Sequence, residues 1–327
     1  MALTVLEYIR SDVWTLPRAC LERLAGEFPD VRVISPADER ELAERLPEAD
    51  VVLGPAVRRT NIARAGRVRW IQLTAAGVAS FLFPELIDSP IVVTSGRGLH
   101  ARAMAEHTLG VMLAFVRQLH LARDAQRERR WTQAELWHAG AGFGELDGAT
   151  VGLVGFGAVG HAIAGLLGRL GLEVIAVRRH PAADPAPARA QWGLERLPEL
   201  AARADWLVLV APGTAETRGM LSRELLSRMK PTARVVNLGR GSLVDEPALI
   251  EALRAGRIAG AALDVFATEP LSADSPLWEM PQVILTPHVS GVGPRYWERS
   301  VELFARNLHH FQRGEPLENV VDKRAGY

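Results

Sequence analysis

Val151-Gly-Leu-Val154-Gly155-Phe156-Gly157-Ala158-Val159-Gly160 is the stretch on which the fold turns. An apolar strand runs straight into a glycine, and two more glycines follow. His161 to Leu170 then reads as a helix, with Ile163, Leu166, Leu167 and Leu170 apolar. Each glycine has its own reason to be there. Gly155 suits a tight turn, Gly157 lets the backbone come close to a pyrophosphate, and Gly160 lets the helix pack on the strand. The free N–H groups and positive dipole end of the helix then attract phosphate. Glycines at these spacings also occur in ligand-free loops, and it is the strand before and the helix after that give the pattern weight. Gly155, Phe156, Gly157, Ala158, Val159 and Gly160 are therefore candidate dinucleotide-binding residues.

Downstream, strands read at Glu173-Val177, Trp206-Val210, Arg234-Leu238, Ile258-Val265 and Gln282-Thr286. With Thr150-Gly155 they make six, the strand count of a complete Rossmann domain. Pro181-Pro187 is rich in proline and alanine and reads as a loop. Upstream, Leu3-Tyr8, Val31-Ile34, Val51-Leu53, Trp70-Leu73 and Ile91-Thr94 are short apolar runs separated by helical or turn stretches. The helix from Pro17 to Phe28 is expected to carry Pro17 in its first turn. Short apolar strands alternating with helices imply parallel sheets covered on both faces.

A long helix is expected from about Ala101 to Arg129, followed by a loop from Trp131 to Gly148. The final helix, about Arg295 to Arg313, most economically returns to the first domain. The fold class is thus α/β, with two doubly wound parallel sheets. A Rossmann dinucleotide-binding domain (100–289) is inserted in a flavodoxin-like substrate domain (1–99 and 290–327).

Composition narrows the function. At 327 residues the chain suits two domains, and Lys+Arg and Asp+Glu are equal at 38 each. That balance argues against nucleic acid and anionic membranes, which need a cationic excess. No apolar run reaches the roughly 18 residues that span a bilayer. Glu7, Arg10 and Asp12 interrupt the first apolar stretch, which speaks against a signal peptide. Cys20 is the single cysteine, which fits a reducing cytoplasm. The histidines show no metal-ligand spacing, so no metal is expected.

The tip of the strand Glu173-Val177 bears on the cofactor. An NAD-selective site wants Asp or Glu there, bonding the ribose hydroxyls, whereas this chain has Arg178, with Arg179 and His180 beside it. Guanidinium groups pair with a 2′-phosphate that a carboxylate would repel. NADP(H) is therefore expected to be preferred, with NAD(H) as the alternative.

Three residues sit just past strand ends: Arg240, Glu269 and His288. In an open parallel sheet the strand C-termini face the ligand crevice, so the three can meet there. Together they suit reduction of a 2-oxo acid. Arg240 would hold the carboxylate and polarise the carbonyl, His288 would give the proton, and Glu269 would stabilise the imidazolium. Taken singly, each has a plainer reading as a surface arginine, a cap-region glutamate or a turn histidine.

The surroundings decide between these readings. Asn237-Leu-Gly-Arg240-Gly241-Ser-Leu-Val244-Asp245-Glu246, Asp264-Val-Phe266-Ala-Thr-Glu269-Pro270 and Thr286-Pro287-His288 closely resemble the signatures of the D-isomer-specific 2-hydroxyacid dehydrogenases. The likeness runs from Ala75-Ala76-Gly77-Val78 through Ala105-Glu106-His107-Thr108 to the end of the chain.

The resemblance implies that Arg240 binds substrate and that Glu269 and His288 handle the proton. It places Asp264 near the nicotinamide, and Thr108 and Pro212 beside the cofactor. It gives the backbone N–H groups of Ala76 and Gly77 to the substrate carboxylate. Backbone donors at small residues suit such an anion, although the acid often found after the valine is here Ala79. Trp137 matches a tryptophan that, in glyoxylate and hydroxypyruvate reductases, reaches into the partner subunit's active site. With Trp131 it suits a homodimer interface.

Glyoxylate and hydroxypyruvate are the expected substrates. A bulkier oxo acid or 3-phosphoglycerate is the alternative, and the lack of a C-terminal regulatory extension counts against a feedback-regulated phosphoglycerate dehydrogenase. A dinucleotide-sensing binding protein of the same fold is a further rival, because fold alone does not set function.

Overall fold

The computed structural model describes residues 2–10, 15–138 and 143–326. The chain divides into two compact units, Met1–His100 with Gly293–Tyr327, and Ala101–Val292.

In the first unit five short strands form one sheet: β1 (Thr4–Glu7), β2 (Arg32–Ile34), β3 (Val51–Leu53), β4 (Trp70–Gln72) and β5 (Val92–Thr94). Their order is β2-β1-β3-β4-β5, with every pair parallel, the flavodoxin-like winding. The period of two along each strand sorts the side chains. Leu6, Val52, Ile71 and Val93 enter one apolar core, and Val5, Val51, Leu53 and Trp70 enter the other. The second core is closed by the helix Tyr296–Arg313, whose Phe304 ring stacks on Trp70 at 5.1 Å. Asn307 of that helix donates to the Gln72 side chain at 3.0 Å and to Glu318 O at 3.1 Å, so its amide is satisfied in a buried position. Pro17 sits one residue earlier than expected, as the cap of the helix Arg18–Glu27. Its missing N–H costs nothing at either place.

The second unit carries β6 (Thr150–Val154), β7 (Glu173–Val177), β8 (Ala190–Trp192), β9 (Trp206–Leu209), β10 (Arg234–Asn237), β11 (Gly260–Leu263) and β12 (Val283–Leu285). The order β12-β11-β10-β9-β6-β7-β8 is parallel throughout and reverses direction at β6. This is the Rossmann winding with a seventh strand. The sequence reading of six strands missed β8, which is only three half-buried residues at the sheet edge and carries no apolar run. Val151, Leu153 and Val208 face one core, and Leu207, Leu209 and Val235 the other.

The long helix expected from Ala101 to Arg129 is two helices, Ala101–Val116 and Leu119–Arg127. Between them Gln118 is left-handed, with φ 52°, at a cost of roughly 1–2 kcal/mol for a residue other than glycine. Its buried side chain donates to Leu136 O at 3.3 Å, a long-range contact that no local breaker residue announces. Leu136 lies on a short helix, Gln133–His138, within the stretch read from sequence as a loop. No helix among the described residues is long and apolar enough to cross a membrane.

Candidate active site

Because every strand of the second unit runs the same way, the residues just past β6, β7, β9, β10, β11 and β12 share one edge of the sheet. The glycine turn follows β6. Gly155 has φ +100°, and a Cβ there would lie 2.7 Å from Ala211 N. A Cβ on Gly160 would come within 2.5 Å of Gly155 O, so helix and turn meet backbone to backbone. Gly157 caps the helix Ala158–Gly168 without a side-chain hydrogen bond, and nothing lies within 4 Å of where its Cβ would be. Unpartnered N–H groups thus open onto free space at the positive end of an 11-residue helix, which suits a phosphate. Ala158 is exposed and Val159 half-buried, but the Phe156 ring is buried against His161 and can offer a ligand only its backbone.

Arg178 follows β7, where its backbone N–H donates to Trp192 O at 3.0 Å. Among the described residues its side chain has no carboxylate partner, whereas Arg179 is paired with Glu216. Pro212 is exposed past β9, next to Gly155 through Ala211, and its carbonyl accepts from the Thr217 hydroxyl at 2.7 Å. Thr108 is different. It is fully buried, its hydroxyl donates to Met104 O at 2.8 Å on its own helix, and nothing of it is left exposed for a ligand.

Arg240, Glu269 and His288 come from three neighbouring strands. Arg240 leaves β10 through a turn tied by the Asn237 side chain, which accepts from Gly239 N at 3.2 Å and donates to Arg240 O at 3.1 Å. A Cβ on Gly241 would lie 1.8 Å from Phe266 O, so only glycine lets this turn lie against the chain that follows β11. That chain folds back on itself, and Glu269 Oε1 accepts from Phe266 N at 3.0 Å. Its Oε2 meets His288 Nδ1 at 2.7 Å. The imidazole is held on its Nδ1 side and half exposed at 51%, leaving Nε2 for a reacting oxygen. His288 itself is left-handed, with φ 54°, a strained setting of the kind that persists where the surroundings over-determine it.

Asp264, expected beside the nicotinamide, is wholly buried (0% exposed), and its carboxylate accepts hydrogen bonds from the turn that carries His288. Burial works against its charge, but hydrogen bonds from Ser290, Thr286 and Val289 outweigh that and hold the carboxyl below its usual range. Thr286 also meets His107 Nε2 at 3.3 Å, and burial pushes the His107 imidazole down despite the nearby Asp264 charge. His107 and Thr286 stood in quoted motifs, but their contact with each other spans 179 residues and left no sequence signal.

In the first unit, Ala76 is exposed and Gly77 half-buried on the loop after β4. That loop is held by Ala75 O accepting from Gly96 N at 2.8 Å and by Thr74 O accepting from the Tyr296 hydroxyl at 3.0 Å, with Val78 buried beneath. Its anchoring therefore needs no acid at position 79. Among the described residues, no acceptor takes the N–H groups of Ala76 or Gly77. Trp137 lies on the short helix Gln133–His138, 71% exposed, and Trp131 is 88% exposed. Part of the arm, residues 139–142, is outside the described residues.

The winding and this edge of the sheet define a dinucleotide-binding α/β protein of the two-domain dehydrogenase class. Residues 109–290 match the NAD binding domain of the D-isomer specific 2-hydroxyacid dehydrogenases, and the chain belongs to that family. It is 34% identical to a glyoxylate reductase of Pyrococcus furiosus, over 94% of this chain and 93% of that one. It is 33% identical to a D-3-phosphoglycerate dehydrogenase of Mycobacterium bovis, over 92% of this chain and 56% of that one, so it spans about half the length of that relative. It superposes with a TM-score of 0.81 on the NADPH-dependent glyoxylate/hydroxypyruvate reductase of Sinorhizobium meliloti, solved with NADP and sulfate. That pair is 26% identical and covers 99% of this chain and 100% of the other.

Proposed function

We propose that the chain is an NADPH-dependent reductase of small 2-oxo acids, with glyoxylate and hydroxypyruvate its foremost substrates. The observation that carries this reading is the 2.7 Å contact of His288 Nδ1 with Glu269 Oε2 at the ends of neighbouring strands, with Arg240 at the end of the next. A bound reduced nicotinamide would supply the hydride to C2. His288 gives the Nε2 proton to the carbonyl oxygen as it becomes a hydroxyl, and Glu269 stabilises the imidazolium before that transfer. Arg240 polarises the carbonyl and binds the carboxylate, and the N–H groups of Ala76 and Gly77 are carboxylate donors on the first unit.

Arg178, without a carboxylate partner among the described residues, supports a preference for NADPH, as does the NADP bound in the Sinorhizobium meliloti protein. Exposure of Trp131 and Trp137 supports a homodimer, and a monomer by light scattering at micromolar concentration would remove that part. The whole reading is of a cytoplasmic enzyme. The phosphoglycerate dehydrogenase relatives favour a second reading, in which 3-phosphoglycerate is the substrate.

One panel separates these readings. It measures kcat/KM with NADPH and with NADH for glyoxylate, hydroxypyruvate, phosphohydroxypyruvate and branched and phenyl oxo acids. NADPH with the two smallest acids should lead, and His288→Ala should abolish turnover. An NADH preference overturns the role of Arg178, and a lead for phosphohydroxypyruvate selects the second reading. Silence across the whole panel overturns the enzyme.

A further inference from the structure

We propose that a cleft at the opposite edge of the seven-stranded sheet binds a small monocarboxylate with an apolar body, anchored by Arg234. That edge holds the strand starts, so the site is separate from Arg240, Glu269 and His288 past the strand ends.

Arg234 opens β10, in register with Trp206 of β9 and Gly260 of β11. Strand alternation puts it on the face of Val236, which enters an apolar core with Phe115 and Trp206. The position therefore calls for an apolar side chain, and a guanidinium stands there instead. It lies over the Trp206 ring at 5.4 Å and the Phe115 ring at 5.5 Å. Contact with ring faces orders the guanidinium and uses none of its N–H groups.

Those N–H groups have little else to bond. Arg234 Nη1 meets Thr232 O at 3.4 Å, and Nε is buried without a hydrogen-bond partner. Among the described residues no carboxylate offsets the charge, and burial pushes the guanidinium below its ordinary value. Asp205 is close along the backbone, since its carbonyl oxygen accepts from Arg234 N. Its carboxylate is spent elsewhere, on Lys230 Nζ at 2.8 Å and Thr150 N at 2.9 Å. A partly desolvated cation with open donors costs stability that an incoming anion restores.

The space beside it fits such an anion. Arg234 lines a cleft of about 480 Å³ with Pro231, Thr232, Leu253, Ile258 and Gln282. Small-molecule sites run from roughly 300 to 1,000 Å³. Arg234 is the one charged residue of the lining, which suits a single negative charge. Its planar fork matches the two oxygens of a carboxylate, and Pro231, Leu253 and Ile258 offer an apolar wall to the rest of the molecule.

Isovalerate is the probe, with isovaleramide as its neutral counterpart of the same shape. The full chain is followed by NMR through the Ile258 methyl signals and the Arg234 Nε–H signal, identified with Ile258→Val and Arg234→Gln. Isovalerate should move both signals and saturate with a Kd on the order of 1 mM. The amide should bind about tenfold more weakly or worse, because it brings no charge to the guanidinium. Arg240→Gln should leave the response intact, and Arg234→Gln should lose it.

Unmoved signals at about 20 mM isovalerate overturn the proposal. So does an equal response to the amide, which makes the cleft an apolar hollow and nothing more. A response lost in Arg240→Gln but kept in Arg234→Gln puts the acid at the strand ends and overturns it too. If the Nε–H signal answers to protein concentration and not to isovalerate, its partner is a carboxylate of a second copy, and the proposal falls. The acid–amide comparison and the Arg240→Gln arm leave position 234 untouched, so they decide the matter even if Arg234→Gln does not fold.

Discussion

His288 reaches its place by a strained backbone turn, a buried carboxylate beneath and an exposed one beside it, and each makes a different demand on the sequence. Its pairing with Glu269 concerns charge. The two side chains meet at 2.7 Å while both stay partly exposed. On the proposed mechanism Glu269→Gln withdraws the carboxylate from His288 Nδ1 and should lower kcat for glyoxylate reduction by about 10- to 100-fold with KM little changed. Steady-state kinetics check it, and an unchanged kcat removes Glu269 from its role. Arg240, Glu269 and His288 were legible because the motifs around them are long. The hydrogen-bond partners of Asp264 were not legible in Asp264-Val-Phe266, because they lie 22 to 26 residues later.

At the scale of elements, the strand–turn–helix from Thr150 to Gly168 folds as its glycine spacing dictates, since each glycine answers a local constraint. Gly160→Ala would place a Cβ 2.5 Å from Gly155 O, so the turn must shift. NADPH affinity should drop at least tenfold by calorimetry, with stability lowered by about 1–3 kcal/mol. Wild-type affinity in this variant would show that the turn does not hold the pyrophosphate. Two elements escaped the sequence. The helix breaks at Gln118, whose side chain donates to Leu136 O, and β8 pairs with β7 at the edge of the sheet. Neither leaves a periodic or breaker signal, because the stabilising contact is distant or the strand too short.

Over the molecule as a whole, stability rests on apolar faces chosen by strand alternation and on buried polar side-chain atoms of which, among the described residues, only Gln118 Oε1 and Arg234 Nε lack a partner. Phe304→Ala removes the ring stacked on Trp70 and should lower stability by about 3–5 kcal/mol, read from a urea midpoint. A shift under about 1 kcal/mol would mean that the site collapses around the gap. The buried imidazoles set an acid limit. Burial lowers His107 and His120 below the ordinary histidine value, so below about pH 6.5 the unfolded chain takes up protons that the folded one refuses. Their contribution is fully present above that pH and is lost as pH falls toward the depressed folded values. The double variant His107→Gln, His120→Gln should flatten the dependence of Tm on pH between about 6.5 and 5, and an unchanged slope would assign it to other groups.

The amino-acid sequence by itself determined the two windings, the glycine turn and the identity of the three residues at the strand ends, because those follow from periodicity and local sterics along the chain. Only the tertiary structure decided which donors meet the Asp264 carboxylate, that the Thr108 hydroxyl bonds Met104 O on its own helix, and that the long helix is broken. Each of those depends on hydrogen-bond partners, which folding assigns once the backbone has brought distant atoms within about 3 Å.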